Sequence, residues 1–315
     1  MTGLSASSDT RLKALFALSR TVQAHLSIAQ PALAALVAAR GVPPLRVIVV
    51  GFVAAWAGFH AVFAINDVID YQLDRARFAH LKSYQGFDID SALMRHPLAQ
   101  GYLRRRHALA WIGGLAVVAI GLAALLSWIS VWLFCGAVAL EALYCWLARI
   151  SAWKFLISGL MVGLGALAGW FPVTSSTGWA TVWVFVWMAT WEIGGRNIVN
   201  DWSDVEEDVL LGIRTVPVQF GTVVAGRLLL GFNVAATLAG AALAPAAGLP
   251  AWYIPMALLV GAVLLVVPSW RLARDADAAV AHRLFNRASF YPPVMVVVVG
   301  AGYVLGDLAG WLLGA

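Results

Sequence analysis

Long apolar stretches dominate the chain, and polar residues gather in short blocks between them. Stretches of spanning length fall at about residues 20–38, 46–65, 107–126, 130–149, 154–172, 179–199, 223–243, 251–269 and 290–312. Each is near the roughly 20 residues that an α-helix needs to cross a bilayer. Breakers separate several of them: Gly41-Val42-Pro43-Pro44, Phe171-Pro172, and the stretch from Pro245 to Pro250. The pattern predicts an all-α, polytopic membrane bundle of nine transmembrane helices, forming a single domain over residues 1–315.

Composition supports a lipid solvent. Of 315 residues, 62% are hydrophobic and 12% charged, against about half and a quarter in a soluble domain. The polar Met1–Thr10 segment lacks the charged region, apolar run and cleavage site of a secretory signal. Some of the 15 tryptophans are expected at the membrane interface. Cys135 and Cys145 lie ten residues apart in one apolar segment. On a helix that is about 15 Å, too far to bridge, so both read as small buried apolar groups.

Charge orients the bundle. With the N-terminus inside, the inner segments are 1–20, 66–106, 149–154, 200–227 and 270–288. They hold every one of the 21 Lys and Arg residues except Arg40, Arg46 and Arg196. This asymmetry predicts a cytoplasmic N-terminus. It also accounts for the net charge of +5 without a nucleic-acid partner. The run Arg104-Arg105-Arg106 reads as an anchor to anionic membrane lipids. Two inner segments are long and hold most of the acidic residues, so a site is expected there.

Those segments carry an internal repeat. Asn66-Asp67-Val68-Ile69-Asp70-Tyr71-Gln72-Leu73-Asp74 ends the second span, and Asn200-Asp201-Trp202-Ser203-Asp204-Val205-Glu206-Glu207-Asp208 ends the sixth. Both read N-D-x-x-D-x-x-x-D. On a helix, steps of three and four residues share a face, so each motif is expected to line three carboxylates along a stripe about 10 Å long. Like charges at that spacing repel, and ionised groups at the end of a membrane helix are costly. Mg2+ suits such a stripe, because it takes one or two carboxylates and fills its shell with water and phosphate oxygens. The two helices end on the same side, so the clusters are expected to face each other across one cavity. Two acidic walls with metal between them make a receptor for a diphosphate, whose growing negative charge the metal neutralises as it leaves. The expected metal-binding set is Asn66, Asp67, Asp70, Asp74, Asn200, Asp201, Asp204 and Asp208. Asn197, one turn before Asp201, is expected on the same face.

At these residues the chain resembles the UbiA superfamily of intramembrane prenyltransferases. The two motifs match that family's N-D-x-x-D-x-x-x-D and D-x-x-D-x-x-x-D. Gly212-Ile213-Arg214-Thr215-Val216-Pro217 is similar to its G-x-[KR]-T-[LV]-P, and Arg95-His96-Pro97-Leu98-Ala99-Gln100-Gly101 to its R-P-L-x-S-G. Tyr144 and Lys154 resemble its Tyr and Lys around the loop between the fourth and fifth helices. The resemblance implies helices around a central cavity with a side opening. It also implies that a polyprenyl diphosphate binds with Mg2+ between the motifs and ionises, and that the allylic carbocation alkylates a small-molecule or lipid acceptor, often aromatic. Tyr144 and the motif aspartates are then the catalytic residues, and Asn66 of the motif and the matched Arg95, Lys154 and Arg214 bind substrate, with Asn197 added by its place one turn before Asp201. Lys82 joins them on proximity alone. The chain departs from the family over residues 75–94, which are longer than usual. They read either as a lid tipped by Asp88 and Asp90 or as an inert surface insertion. Glu206 matches a family glutamate, whereas Glu207 stands where a small residue is more usual.

Other polar residues in the spans have weaker readings. Glu192 and Arg196 are spaced for a salt bridge facing the bundle interior, and Glu141 has no cation near it in sequence. His25 and His60 read as packing histidines, and Phe63 and Tyr71 as packing aromatics near the motifs. Two alternatives to prenyl transfer stand. A terpene cyclase on the same fold ionises the same diphosphate but quenches the cation internally. A metal transporter also carries repeats and intramembrane carboxylates, but near the bilayer midplane rather than at helix ends.

Overall fold

The computed structural model describes residues 8–78, 89, 93–275 and 277–313, and among them every regular element is a helix. Lys82, Asp88 and Asp90 lie outside the described residues.

The chain opens with α1 (Ser8–Leu18), α2 (Thr21–Ser27) and α3 (Ala29–Ala39). The first expected span is thus two helices. Pro31 has no N–H to donate to the Ser27 carbonyl four residues back, and α2 ends there. Arg20, between α1 and α2, has a left-handed backbone (φ 43°). α4 (Leu45–Ile69) begins after Pro44, and α5 (Tyr71–Phe78) follows it after one residue. α6 (Arg105–Leu126) and α7 (Trp128–Leu147) are split by a single extended residue, Ser127. Then come α8 (Lys154–Leu167) and α9 (Trp179–Trp191). α9 runs through a π-turn (Glu192–Asn197) into α10 (Ile198–Ser203), and α11 (Val205–Leu211) follows.

α12 (Val216–Ala247) is the longest element. Its helix continues through Pro245, one of the expected breakers, and stops at Gly248, which takes the left-handed conformation (φ 70°) that glycine adopts at no steric cost. α13 (Tyr253–Gly261), a π-turn (Ala262–Val266) and α14 (Val267–Asp275) form one span. α15 (Ala278–Ser289) starts at Asp277, whose carboxylate accepts the Ala279 N–H, and leads into α16 (Tyr291–Leu313).

Among the described residues seven segments are long and apolar enough to cross a membrane, where nine were expected. The other two are α8, only 14 residues long, and residues 179–203, which carry Glu192 and Arg196 inside the helix. The molecule is an integral membrane protein.

Chain neighbours pack side by side: α4 on α6, α6 on α7, α7 on α8, α8 on α9, α9 on α12, and α12 on α13. α16 then returns to α3, and α2 lies on α4, which closes the circuit. The core is uneven. The α9–α16 side is tightly filled, with Trp187, Trp191, Tyr253 and Tyr291 fully buried. Their polar tips are satisfied: Trp187 Nε1 donates to Tyr291 Oη (3.0 Å), Trp191 Nε1 to the Ala288 carbonyl (3.0 Å), and Tyr253 Oη to the Gly240 carbonyl (2.9 Å). The α4–α6 side has a small alanine-rich seam, Ala57, Ala61, Leu115 and Ala119, and a second small cluster with Ala64, Leu98, Leu103 and Ala108. The space left between the two sides is a cavity. Both cysteines are free, and Cys135 is exposed on the outer face of α7, because lipid accepts small apolar groups as readily as a core does.

Candidate active site

The two acidic motifs fold alike. In each, the helix breaks at the middle aspartate: Asp70 (φ −83°, ψ 4°) ends α4, and Asp204 (φ −104°, ψ 9°) ends α10. This corrects the expected continuous stripe. Short polar side chains compete with helical backbone bonding, and both breaks fall where an apolar span gives way to a polar segment. The helical pitch nevertheless survives. Asp70 N–H donates to the Asn66 carbonyl and Asp74 N–H to that of Asp70, both at 2.9 Å. Asp204 and Asp208 repeat these bonds to Asn200 and Asp204, at 3.3 and 2.9 Å. Burial repeats too: Asp67, Asp74, Asp201 and Asp208 are buried, and Asp70 and Asp204 are half-buried.

The motifs come together at one end of the bundle. α5, which carries Asp74, touches α11, which carries Asp208. Arg95 reaches Glu207 across the gap, at 3.9 Å. Asn66 and Asn200 both line the end of the same cavity.

Each first aspartate has a nitrogen partner. Lys154, 3% exposed, places Nζ 2.9 Å from Asp201 Oδ1. It also donates to Tyr144 Oη at 2.7 Å. The same phenol oxygen accepts the Asn197 side-chain N–H at 2.9 Å. Tyr144, Lys154, Asn197 and Asp201 therefore form one network, and Tyr144 and Asn197 face the cavity. On the other side, His96 Nδ1 lies 2.8 Å from Asp67 Oδ1 and 2.9 Å from Asp74 Oδ2. Burial works against a charged imidazole there, but the hydrogen bonds to Asp67 and Asp74 and the Asp74 charge outweigh it and raise His96 above its ordinary value.

Sequence reasoning missed His96. The signal was in the resemblance to R-P-L-x-S-G: aligning Pro97 with that proline puts His96, not Arg95, in the arginine position. It missed Arg20 and Gln23 as well. Both line the cavity, whereas the position of Arg20 in the sequence speaks only to membrane orientation. The Arg214 guanidinium donates to the Ile150 carbonyl (3.0 Å), and Arg214 is not among the residues that line the cavity. Its neighbours explain the G-x-R-T-V-P stretch: Gly212 ends α11 in the left-handed conformation, Thr215 takes the extended backbone of the position before α12, and Pro217 sits in the first turn of α12.

The cavity measures about 520 Å³. It follows α4 from Asn66 back to Val47, about 28 Å along a helix. Its walls are mostly apolar, including Phe59, Val62 and Phe63. Polar groups cluster nearer the motifs: Glu141, Ser158, Glu192 and Arg196. Ser158 donates to Glu192 (2.8 Å), and the Arg196 guanidinium stacks against Phe285 (4.7 Å) and Trp191 (5.8 Å). Val42, Ile48 and Phe52 line the cavity and are also exposed, so it reaches the surface beside the start of α4 through apolar residues. His25 and His60 lie in an aromatic cluster with Trp56, and Tyr71 packs in a small core with Leu98 and Leu103.

A family model described as the UbiA prenyltransferase family matches residues 28–290. The chain belongs to the UbiA prenyltransferase family. It is a membrane prenyltransferase. A protoheme IX farnesyltransferase from Frankia casuarinae is 27% identical over 84% of this chain and 88% of its own. A 4-hydroxybenzoate octaprenyltransferase from Hydrogenovibrio crunogenus is 30% identical over 67% of this chain and 68% of its own. Among solved structures, a UbiA homologue from Archaeoglobus fulgidus bound to DMAPP and Mg2+ superposes with a TM-score of 0.64 over 90% of this chain and 98% of that one, at 18% identity. That likeness establishes the shared fold.

The donor set fits a divalent ion. Asp67, Asp74 and His96 each offer a ligand atom, all within 4.8 Å of one another. Asp67 Oδ2 is buried without a hydrogen-bond partner among the described residues, and such an oxygen needs a cation or a donor.

Proposed function

We propose that the chain transfers a prenyl group from an allylic diphosphate to a small-molecule or lipid acceptor, with Mg2+ held by Asn66, Asp67, Asp70, Asp74, Asn200, Asp201, Asp204 and Asp208. The observation that carries the reading is the meeting of two matching carboxylate motifs at one end of a long apolar cavity that reaches the surface through apolar residues. The fold shared with a homologue bound to DMAPP and Mg2+ supports it.

The residues divide the work by polarity. The apolar cavity takes the hydrocarbon tail and leaves the diphosphate at the motif end. Divalent metal there neutralises the charge that the diphosphate gains as its C–O bond breaks. Lys154 and Arg95 add positive charge beside it. Tyr144 presents its ring and hydroxyl at the junction of diphosphate and cavity, where the electron-rich face steadies an allylic cation. The walls exclude water, so the acceptor captures that cation and then loses a proton. The motif loops and the N-terminus face the cytoplasm in this reading, as the inner bias of Lys and Arg requires.

The test incubates purified protein with DMAPP or GPP, Mg2+ and a panel of aromatic and lipid acceptors, with mass spectrometry of the products. Acceptor-dependent prenylation is expected, lost with EDTA and reduced about 10²–10³-fold by Asp67→Asn or Asp201→Asn. Cyclised hydrocarbon or terpene alcohol formed without acceptor would replace transfer by cyclisation.

A further inference from the structure

The two copies of the motif are furnished differently. In the second, Asp201 is held by the ammonium of Lys154. In the first, one imidazole nitrogen spans both buried aspartates, Asp67 at 2.8 Å and Asp74 at 2.9 Å. A protonated lysine only donates, whereas imidazole is the commonest metal ligand in proteins. The spacing suits ligation. Adjacent donors about 2.1 Å from an octahedral ion stand about 3 Å apart, close to both distances. Asp67 also keeps its second oxygen, buried and without a partner among the described residues. His96 reaches this position through a left-handed backbone, φ 43°. Few non-glycine residues adopt that conformation, and it persists only where the surroundings enforce it.

We infer that Asp67, Asp74 and His96 form a mixed oxygen–nitrogen site that favours a divalent transition ion, of the Mn2+ to Zn2+ series, over Mg2+. Carboxylate and water suit Mg2+, and an imidazole adds affinity for transition ions. Among the described residues no histidine groups with the second motif's carboxylates as His96 does with Asp67 and Asp74, so the two halves of the site differ in the ion they prefer. Magnesium remains suited to the half that meets the diphosphate oxygens. The inference rests on the prenyl-transfer reading for the ion's purpose, while its binding is measured without diphosphate.

The probe is Mn2+ added to the purified full-length protein, followed by electron paramagnetic resonance with electron-spin-echo detection of coordinated ¹⁴N. One directly bound nitrogen is expected, with Mn2+ held about tenfold or more tighter than competing Mg2+. In His96→Gln, which keeps a hydrogen-bonding side chain beside the two aspartates, the nitrogen signal should vanish and the preference fall to within about threefold. Bound Mn2+ without coordinated nitrogen overturns the inference, and so does a nitrogen signal that persists in His96→Gln or equal affinity for the two ions. Absence of coordinated nitrogen in the wild-type spectrum overturns the inference whether or not the variant folds. Absence of prenylated product alongside an intact nitrogen signal would remove the transfer reading and leave the ion site standing.

Discussion

Lys154 illustrates how single residues are constrained in this site. Its ammonium is buried between the Tyr144 hydroxyl and the Asp201 carboxylate. Removing one partner of a buried pair leaves the other charged and poorly solvated, at a cost of about 3–5 kcal/mol. Lys154→Met should therefore lower the unfolding temperature in detergent and abolish product formation. Adding Asp201→Asn should restore most of the stability but none of the turnover, because the pair's structural cost disappears while the site stays dismantled. Recovery of activity in the double variant would contradict a role at the diphosphate. Much of this network was legible in the sequence, since Tyr144, Lys154 and Asp201 each stand in a recognisable motif. The Tyr144–Asn197 bond was not, because it depends on how two distant helices rotate against each other. His96 escaped for a different reason: the R-P-L-x-S-G match was read on Arg95 rather than His96, and the left-handed turn at His96 is not announced by residue identity.

At the scale of elements, the π-turn from Glu192 to Asn197 sets the geometry of the second motif. Such a turn adds a residue to one helical turn, which shifts the register of everything after it. Asn197 and Asp201 thereby meet Tyr144 and Lys154 on α7 and α8. Gly194 lets the turn lie directly on α12: a Cβ there would stand 2.9 Å from both the Leu229 carbonyl oxygen and the Asn233 amide nitrogen. Gly194→Val should cost about 1–3 kcal/mol through overpacking, seen as a lower unfolding temperature, with turnover falling further than in other variants of equal stability. Unchanged turnover would separate the π-turn from the site. Sequence periodicity located this span but not its π-turn, since a shift of one residue leaves an apolar pattern looking the same. The same insensitivity hid the split between α2 and α3 and the helix breaks at Asp70 and Asp204.

For the whole molecule, the uneven core explains where substrate fits. The α9–α16 side is packed by large aromatics, and the α4–α6 side leaves the cavity. Ala55 lines it, eleven residues from Asn66 on α4, or about 16 Å along the helix. Ala55→Trp should fill that stretch, so products from the shortest diphosphates persist while those from longer ones fall away. An unchanged chain-length profile would mean that the tail lies elsewhere. The helices were foreseeable from hydropathy and the hollow from the family resemblance, but not the residues that line it, because all-apolar helices do not reveal which side chains turn inward. Exposed Trp128, Trp146, Trp153 and Trp179 stand at helix ends, where amphipathic rings favour the membrane–water boundary.

The cavity's mouth, edged by the exposed apolar Val42, Ile48 and Phe52 at the start of the spanning helix α4, suits acyl chains better than water. A greasy donor partitions into the same layer and meets the enzyme by diffusing in two dimensions. What saturates the protein is then the donor's mole fraction in the lipid or micelle, not its amount per litre. Diluting a fixed quantity of long-chain donor with extra detergent should slow the reaction as substrate depletion would, while a short, water-soluble diphosphate should be nearly indifferent to the same dilution.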